Sequence, residues 1–169
     1  AYIDAQLADT ILIVGANPYE TQTNYFLNHM IPNLNGDSLE LKRSTFPGEA
    51  VAPGRMIIMD PRRTISVATA EAAAGKENVL HLQIEPGTDI AVMNAIARTA
   101  LERRWHDVAF IKERAEWQTF EAYQRSSLGS DRDAATVVSE AAALAGILVA
   151  DIYKAAEWIA KPKSGGVRR

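Results

Sequence analysis

A chain of 169 residues, 47% hydrophobic and 23% charged, is long enough for one domain with a real core and too short for two independent ones. Its formal net charge of -3 gives no basic stripe of the kind a nucleic-acid surface needs, and no apolar run approaches bilayer-spanning length. The absence of cysteine excludes disulfides, thiolate metal sites and thiol nucleophiles within this stretch, and leaves the redox compartment open.

The chain starts at Ala1 without an initiator Met or a signal-peptide pattern, and ends in a Ser164-Gly165-Gly166 tail after a helical segment. Both ends look cut, as in a piece of a larger protein. Residues 10–15, Thr10-Ile11-Leu12-Ile13-Val14-Gly15, form a short unbroken apolar run closed by glycine. That pattern predicts a parallel strand buried on both faces. Residues 16–20 read as a turn, because Pro18 biases Asn17 away from helical geometry. A helix follows to His29 or Met30, with Tyr25, Phe26 and Met30 at core spacing and Pro32 as its stop.

Residues 33–53 read as a long irregular loop, punctuated by Asn35-Gly36 and Pro47-Gly48. A second strand covers 55–60 and is ended by Pro61; a short helix capped by Thr64 runs to Ala74; a third strand covers 79–84. An amphipathic helix over 89–103 places Ile90, Met93, Ile96, Ala97 and Leu101 on one face. The rest is helical: a short helix from Asp107, another over 119–125, an alanine-rich helix capped by Asp131 and ending near Gly146, and a last helix over 151–160. The alternation predicts an α/β fold with parallel strands joined by right-handed crossovers. The expected partition is an α/β core over 1–106 with a helical continuation over 107–169.

In an open parallel sheet, ligands bind at the carboxyl ends of the strands. Each predicted strand ends there in a distinctive polar loop: Gly15-Ala16-Asn17-Pro18, Asp60-Pro61-Arg62-Arg63-Thr64 and Pro86-Gly87-Thr88-Asp89. Gly15 lets the backbone approach a ligand, and Asn17 offers donor and acceptor at a fixed turn. Asp60 sits where doubly wound folds place an acid that accepts from a ribose hydroxyl. Arg62 and Arg63 carry guanidinium forks suited to phosphate. Asp89 could accept paired hydrogen bonds from the N1 and N2 edge of guanine, with Gly87 leaving room for the base.

Each loop also has a plainer reading. Asn-Pro is a common turn, Asp60 beside arginine can be a salt bridge, and Thr88 and Asp89 are good helix caps. Neither a G-x-G-x-x-G nor a Walker-type phosphate loop is present. His29, His81 and His106 lack ligand spacing, and His29 and His81 read as packing or satisfied residues. Trp105, Trp117 and Trp158 read as core anchors.

Taken together, Ala8 to Pro18, Asp60 to Thr64 and Glu85 to Ala91 resemble the molybdopterin oxidoreductases of the dimethyl-sulfoxide-reductase family. Within it, Asn17-Pro18-Tyr19-Glu20-Thr21-Gln22-Thr23-Asn24-Tyr25-Phe26-Leu27-Asn28-His29, Phe46-Pro47-Gly48-Glu49 and Gly75-Lys76-Glu77-Asn78-Val79-Leu80-His81-Leu82 resemble the arsenite oxidase large subunits. The resemblance covers nearly the whole chain and is loosest over 113–132.

It implies a Rossmann-like, three-layer region with a short parallel sheet and a helical C-terminal part, holding one end of a molybdenum bis(molybdopterin guanine dinucleotide) cofactor. By motif position the residues carried over are Asn17, Asp60, Arg62, Gly87 and Asp89, with Thr21, Arg63 and Thr64 beside them. It further implies an iron-sulfur cluster elsewhere in the full subunit, a Rieske-type small subunit as partner, arsenite as substrate, a periplasmic location, and no catalysis by this stretch alone. The family's chain also continues into another strand beyond the last helix. Rival expectations are a formate dehydrogenase or nitrate reductase of the same fold, and a non-enzymatic α/β module binding a free nucleotide or a protein.

Overall fold

The computed structural model describes residues 2–163, so the cut ends expected at Ala1 and 164–169 lie outside the described residues. The chain divides between Gln83 and Ile84 into two compact units.

In the first unit a short helix, α1 (Asp4–Leu7), precedes strand β1 (Thr10–Val14). The path to the next strand is helical: α2 (Pro18–Thr21), α3 (Thr23–Tyr25), a π turn over Phe26–Met30, α4 (Ile31–Asn35) and α5 (Leu39–Thr45). Strand β2 (Arg55–Met59) is followed by α6 (Ile65–Ala74), a 3-10 turn over Lys76–Asn78 and β3 (Val79–Leu82). The strands are parallel in the order β1-β2-β3. This is the α/β architecture the sequence pattern predicts.

The strand buried on both faces is β2, whose Met56, Ile57, Ile58 and Met59 are wholly inaccessible. β1 departs from the expectation. Ile11 and Ile13 share one face and are buried, while on the other face Leu12 is half-exposed and Val14 exposed. Phe26, Met30 and Leu34 recur every fourth residue and pack with Met56, Ile58, Val67 and Ala70 in one cluster.

Two further expectations are corrected here. Pro18 opens α2 at once, as proline at a first helical position can, instead of prolonging a turn. Pro32 does not stop its helix. Ile31 N–H bonds to Phe26 O, five residues back, and this wider turn accommodates a proline that a regular helix would reject.

The supposed loop over 33–53 contains the end of α4 and all of α5. Buried polar groups tie it down. Asn33 Nδ2 donates to Ala5 O and Ala8 O at 2.7 and 2.8 Å, while Asn33 Oδ1 accepts from Gly54 N–H at 3.0 Å. Lys42 Nζ, from α5, donates to Ala8 O and Ala52 O. Satisfied in this way, the two side chains can be buried without large cost and fix the segments entering β1 and β2.

The second unit is helical: α7 (Asp89–Glu102), α8 (Val108–Arg114), α9 (Trp117–Ser126), α10 (Ala134–Ala145) and α11 (Val149–Ala160). α7 packs against both α10 and α11, which are bent by 111° at the break that begins with Gly146, a left-handed C-cap. No single helix among the described residues is long and apolar enough to cross a membrane.

The buried face of α7 differs from the one expected. Val92, Ala95, Ile96 and Thr99 face inward, at spacings of three, one and three, whereas Ile90 is 75% exposed and Met93 is also exposed. The buried alanines of the neighbours (Ala141, Ala142, Ala145, Ala155, Ala156) explain the rotation, because small residues on both sides allow close helix approach. The cap of α10 is Asp133, not Asp131: Asp133 Oδ2 accepts from the backbone N–H and hydroxyl of Thr136, both at 2.8 Å. The tryptophans are half-buried rather than core, with Lys112 over Trp117 and Lys154 over Trp158.

Candidate functional site

Parallel register determines where the strand-end loops of the first unit emerge. Val14, Met59 and Leu82 are aligned across the sheet, so the residues after them leave along one rim. The ladder continues one step further, with Gly15 N–H donating to Met59 O and Asp60 N–H to Leu82 O. Gln83 Nε2 then donates to Pro61 O and ties the end of β3 to the Asp60 loop.

Gly15 has φ +60°, a left-handed conformation that disfavours a side chain, and a Cβ there would meet nothing within 4 Å. Two residues on, Asn17 is held by α6. Tyr19 N–H donates to Ser66 Oγ at 3.0 Å, and Ser66 Oγ donates to Asn17 Oδ1 at 2.6 Å. Asn17 O in turn accepts from the Glu20 and Thr21 amides and from Thr21 Oγ1. Among the described residues nothing pairs with Asn17 Nδ2. Thr21 itself lines a different feature, an open cleft of about 500 Å³ shared with Tyr2, Gln22, Thr23, Asn24 and Tyr25.

Asp60 is buried, and its Oδ1 accepts from Arg62 N–H at 2.8 Å, closing an Asx turn that shapes the loop. Arg62 extends into solvent, with Nε 3.9 Å from the same oxygen. Its guanidinium is therefore available. Arg63 is engaged instead by α6: Nη1 and Nη2 meet the two oxygens of Glu71 as a fork. That hydrogen bonding raises the arginine's pKa and holds the Glu71 carboxyl below its usual range.

Thr64 occupies the N-cap position of α6, but its side chain caps nothing. Thr64 Oγ1 is buried and has no hydrogen-bond partner. A buried hydroxyl left in that state is costly unless something else supplies the bond. His81 sits beside this loop with Nε2 3.0 Å from Asp60 O, the satisfied strand histidine that its position predicts.

Gly87 and Asp89 belong to the second unit and form their own arrangement. Thr88 N–H and Oγ1 both bond to Glu85 O, and Glu85 N–H bonds to Ala145 O at the end of α10. This turn carries Gly87 at φ +86° with open space where a Cβ would lie. Asp89 then begins α7, and neither it nor Thr88 caps the helix with its side chain. Among the described residues no group pairs with the Asp89 carboxylate. The capping role open to it from sequence is not the one it performs.

The structure thus brings Asn17, Asp60, Arg62 and Thr64 to one rim of the first unit and gives Arg63 and the Thr21 hydroxyl local partners. It adds Ser66, fully buried, which sequence reasoning passed over. A serine in the first turn of a helix has no distinguishing local signal; its partner lies 49 residues away.

No family model matches the chain. It is 45% identical over 166 residues, 98% of its length, to arsenite oxidase subunit AioA of Herminiimonas arsenicoxydans, of which the match covers 19%. It is 30% identical, over 95% of its length, to iodate reductase subunit IdrA of Denitromonas iodatirespirans, covering 18% of that protein. The chain belongs to the molybdopterin oxidoreductases of the dimethyl-sulfoxide-reductase family. A further member, the F420-dependent formate dehydrogenase subunit alpha of Methanocaldococcus jannaschii, is 32% identical over 67% of the chain. The chain spans about a fifth of the length of the curated relatives it matches first. Among these oxidoreductases, that span includes all three strand-end loops of the present chain.

Proposed function

We propose that this stretch anchors the guanosine and phosphate end of a molybdopterin guanine dinucleotide in the large subunit of an enzyme that oxidises arsenite to arsenate. The observation that carries the anchoring role is the set of polar groups left without protein partners at the strand ends. On the first unit they are the Asn17 amide nitrogen and the buried Thr64 hydroxyl, with the solvent-exposed Arg62 guanidinium beside them, only loosely paired to Asp60; on the second unit it is the Asp89 carboxylate. Gly15 and Gly87 add open space beside them. Buried or fixed groups in that state fit a polar ligand better than a closed protein surface.

The donors and acceptors divide by chemistry. Asn17, Thr64 and Arg62 suit phosphate oxygens; Asp60 suits a ribose hydroxyl; Asp89 suits the paired N–H groups of guanine, with Gly87 leaving room for the base. Arg63, clamped to Glu71, stiffens the loop rather than touching the ligand. When bound, the molybdenum supplies two-electron redox chemistry. The contribution of this chain is positional: many hydrogen bonds to the nucleotide fix the far end of the cofactor. Iron-sulfur centres elsewhere in the subunit and a Rieske-type partner in the periplasm would serve as the electron acceptors.

Identity to the arsenite oxidase over 98% of the chain supports arsenite as substrate. The test is turnover by the full-length protein with arsenite, iodate, formate and nitrate offered separately. Arsenite oxidation is expected, and turnover of one of the others in its place overturns the substrate. In the same protein, Asp89→Ala should weaken cofactor retention by about 1.5–3 kcal/mol, the loss expected for charge-assisted hydrogen bonds. Wild-type molybdenum and guanine content in that variant would remove Asp89 from the site.

A further inference from the structure

The hydrogen-bond chain at the start of α6 fixes more than the position of Asn17. A backbone N–H can only donate, so Ser66 Oγ is the acceptor from Tyr19. Its own proton then has one partner in reach, the Asn17 side-chain atom at 2.6 Å. That separation belongs to O–H···O bonds and is shorter than the N–H···O range. The atom facing Ser66 is therefore the carbonyl oxygen, and the amide nitrogen is turned away with both protons free of protein partners.

We infer that Ser66 is a positioning residue which sets the amide of Asn17 so that it presents donors only, and that Asn17 therefore recognises anionic acceptor oxygens, those of the nucleotide phosphates. This rests on the anchoring reading and sharpens it. Left to itself an asparagine amide rotates through half a turn and offers either end. With Ser66 in place, the carbonyl oxygen is turned toward α6, and the end of the Asn17 amide facing away from Ser66 carries only N–H donors. Ser66 can hold this setting because it is fully buried and receives Tyr19 N–H, so rotation of its hydroxyl would leave a buried donor unsatisfied.

The test uses the full-length subunit and measures guanine nucleotide released by acid per mole of protein after prolonged dilution. Asn17→Ala, Asn17→Asp, Ser66→Ala and Ser66→Thr are compared, with the unfolding midpoint recorded for each. Ser66→Thr keeps the hydroxyl and should retain the nucleotide. Ser66→Ala should lose about three- to ten-fold in retention, the scale of one neutral hydrogen bond. Asn17→Asp should lose more than Asn17→Ala, because Ser66 holds one carboxylate oxygen and the other then faces phosphate. Asn17→Asp retaining as much as Asn17→Ala, or more, overturns the proposal, as does a folded Ser66→Ala at wild-type content. If Ser66→Ala does not fold, the order of the two Asn17 variants decides alone. Asp60→Ala and Asp89→Ala separate the two levels: if they empty the subunit while the Ser66 and Asn17 predictions fail, the anchoring reading stands without this refinement. If they too retain the nucleotide, both fall.

Discussion

At the scale of single residues, two glycines on the first unit are required for different reasons, and the difference is measurable. Gly15 has a left-handed backbone and empty space around it, so Gly15→Ala meets only the backbone penalty, about 1–2 kcal/mol. Gly54 has no such conformation, but a Cβ there would lie 2.7 Å from Asn33, whose amide holds three backbone groups. Gly54→Ala displaces that amide and leaves buried groups unsatisfied, each at about 1–3 kcal/mol. Urea unfolding should therefore show Gly54→Ala as the more destabilising change. Equal losses would mean that Asn33 is not the clamp described here.

The same scale shows what the sequence could and could not disclose about the site. Asn17, Asp60 and Asp89 were legible because a strand end followed by a polar turn is a local pattern. Which arginine stays exposed was not: Arg62 and Arg63 are neighbours, and the choice depends on Glu71, one helix away. Ser66 and Thr64 were opaque for a related reason. Both look like ordinary residues of a helix start, and only tertiary structure gives one a distant partner and the other none.

At the scale of elements, α10 carries a prediction about pH. The backbone N–H of Thr136, then its hydroxyl, hold the Asp133 carboxyl below its usual range. A carboxyl lowered in the folded state stabilises the fold above its unfolded pKa, about 3.9. That stabilisation disappears as pH falls through the lower, folded value. Melts followed by circular dichroism between about pH 5 and 2.5 should show this loss, and Asp133→Ala should remove part of it. A profile unchanged in Asp133→Ala would mean that this carboxyl is not the cap of α10.

Elements were legible where pattern and packing agree, as in β2 and α6. They were misread where packing overrides pattern. Large apolar residues marked Ile90 and Met93 as the inner face of α7, yet the alanine-lined neighbours select its smaller residues. Pro32 reads as a terminator only if the helix before it is regular, and the π turn makes it otherwise. α5 was hidden because turn-forming pairs surround it and its anchor, Lys42, is a buried charge where a solvated one is the rule.

At the scale of the whole molecule, the chain corresponds to about a fifth of its first relatives, and the role proposed for it is anchoring rather than reacting. Supplied alone with arsenite and an electron acceptor, these 169 residues should show no oxidation above background. Turnover would contradict a purely positional role.

The most direct measurement is an experimental structure of the full-length subunit with its cofactor bound. Asn17, Asp60 and Asp89 are each expected within hydrogen-bond distance, about 3 Å, of the cofactor's nucleotide part, the Asn17 nitrogen toward phosphate. A nucleotide held by other segments, with these three side chains covered by protein, would contradict it.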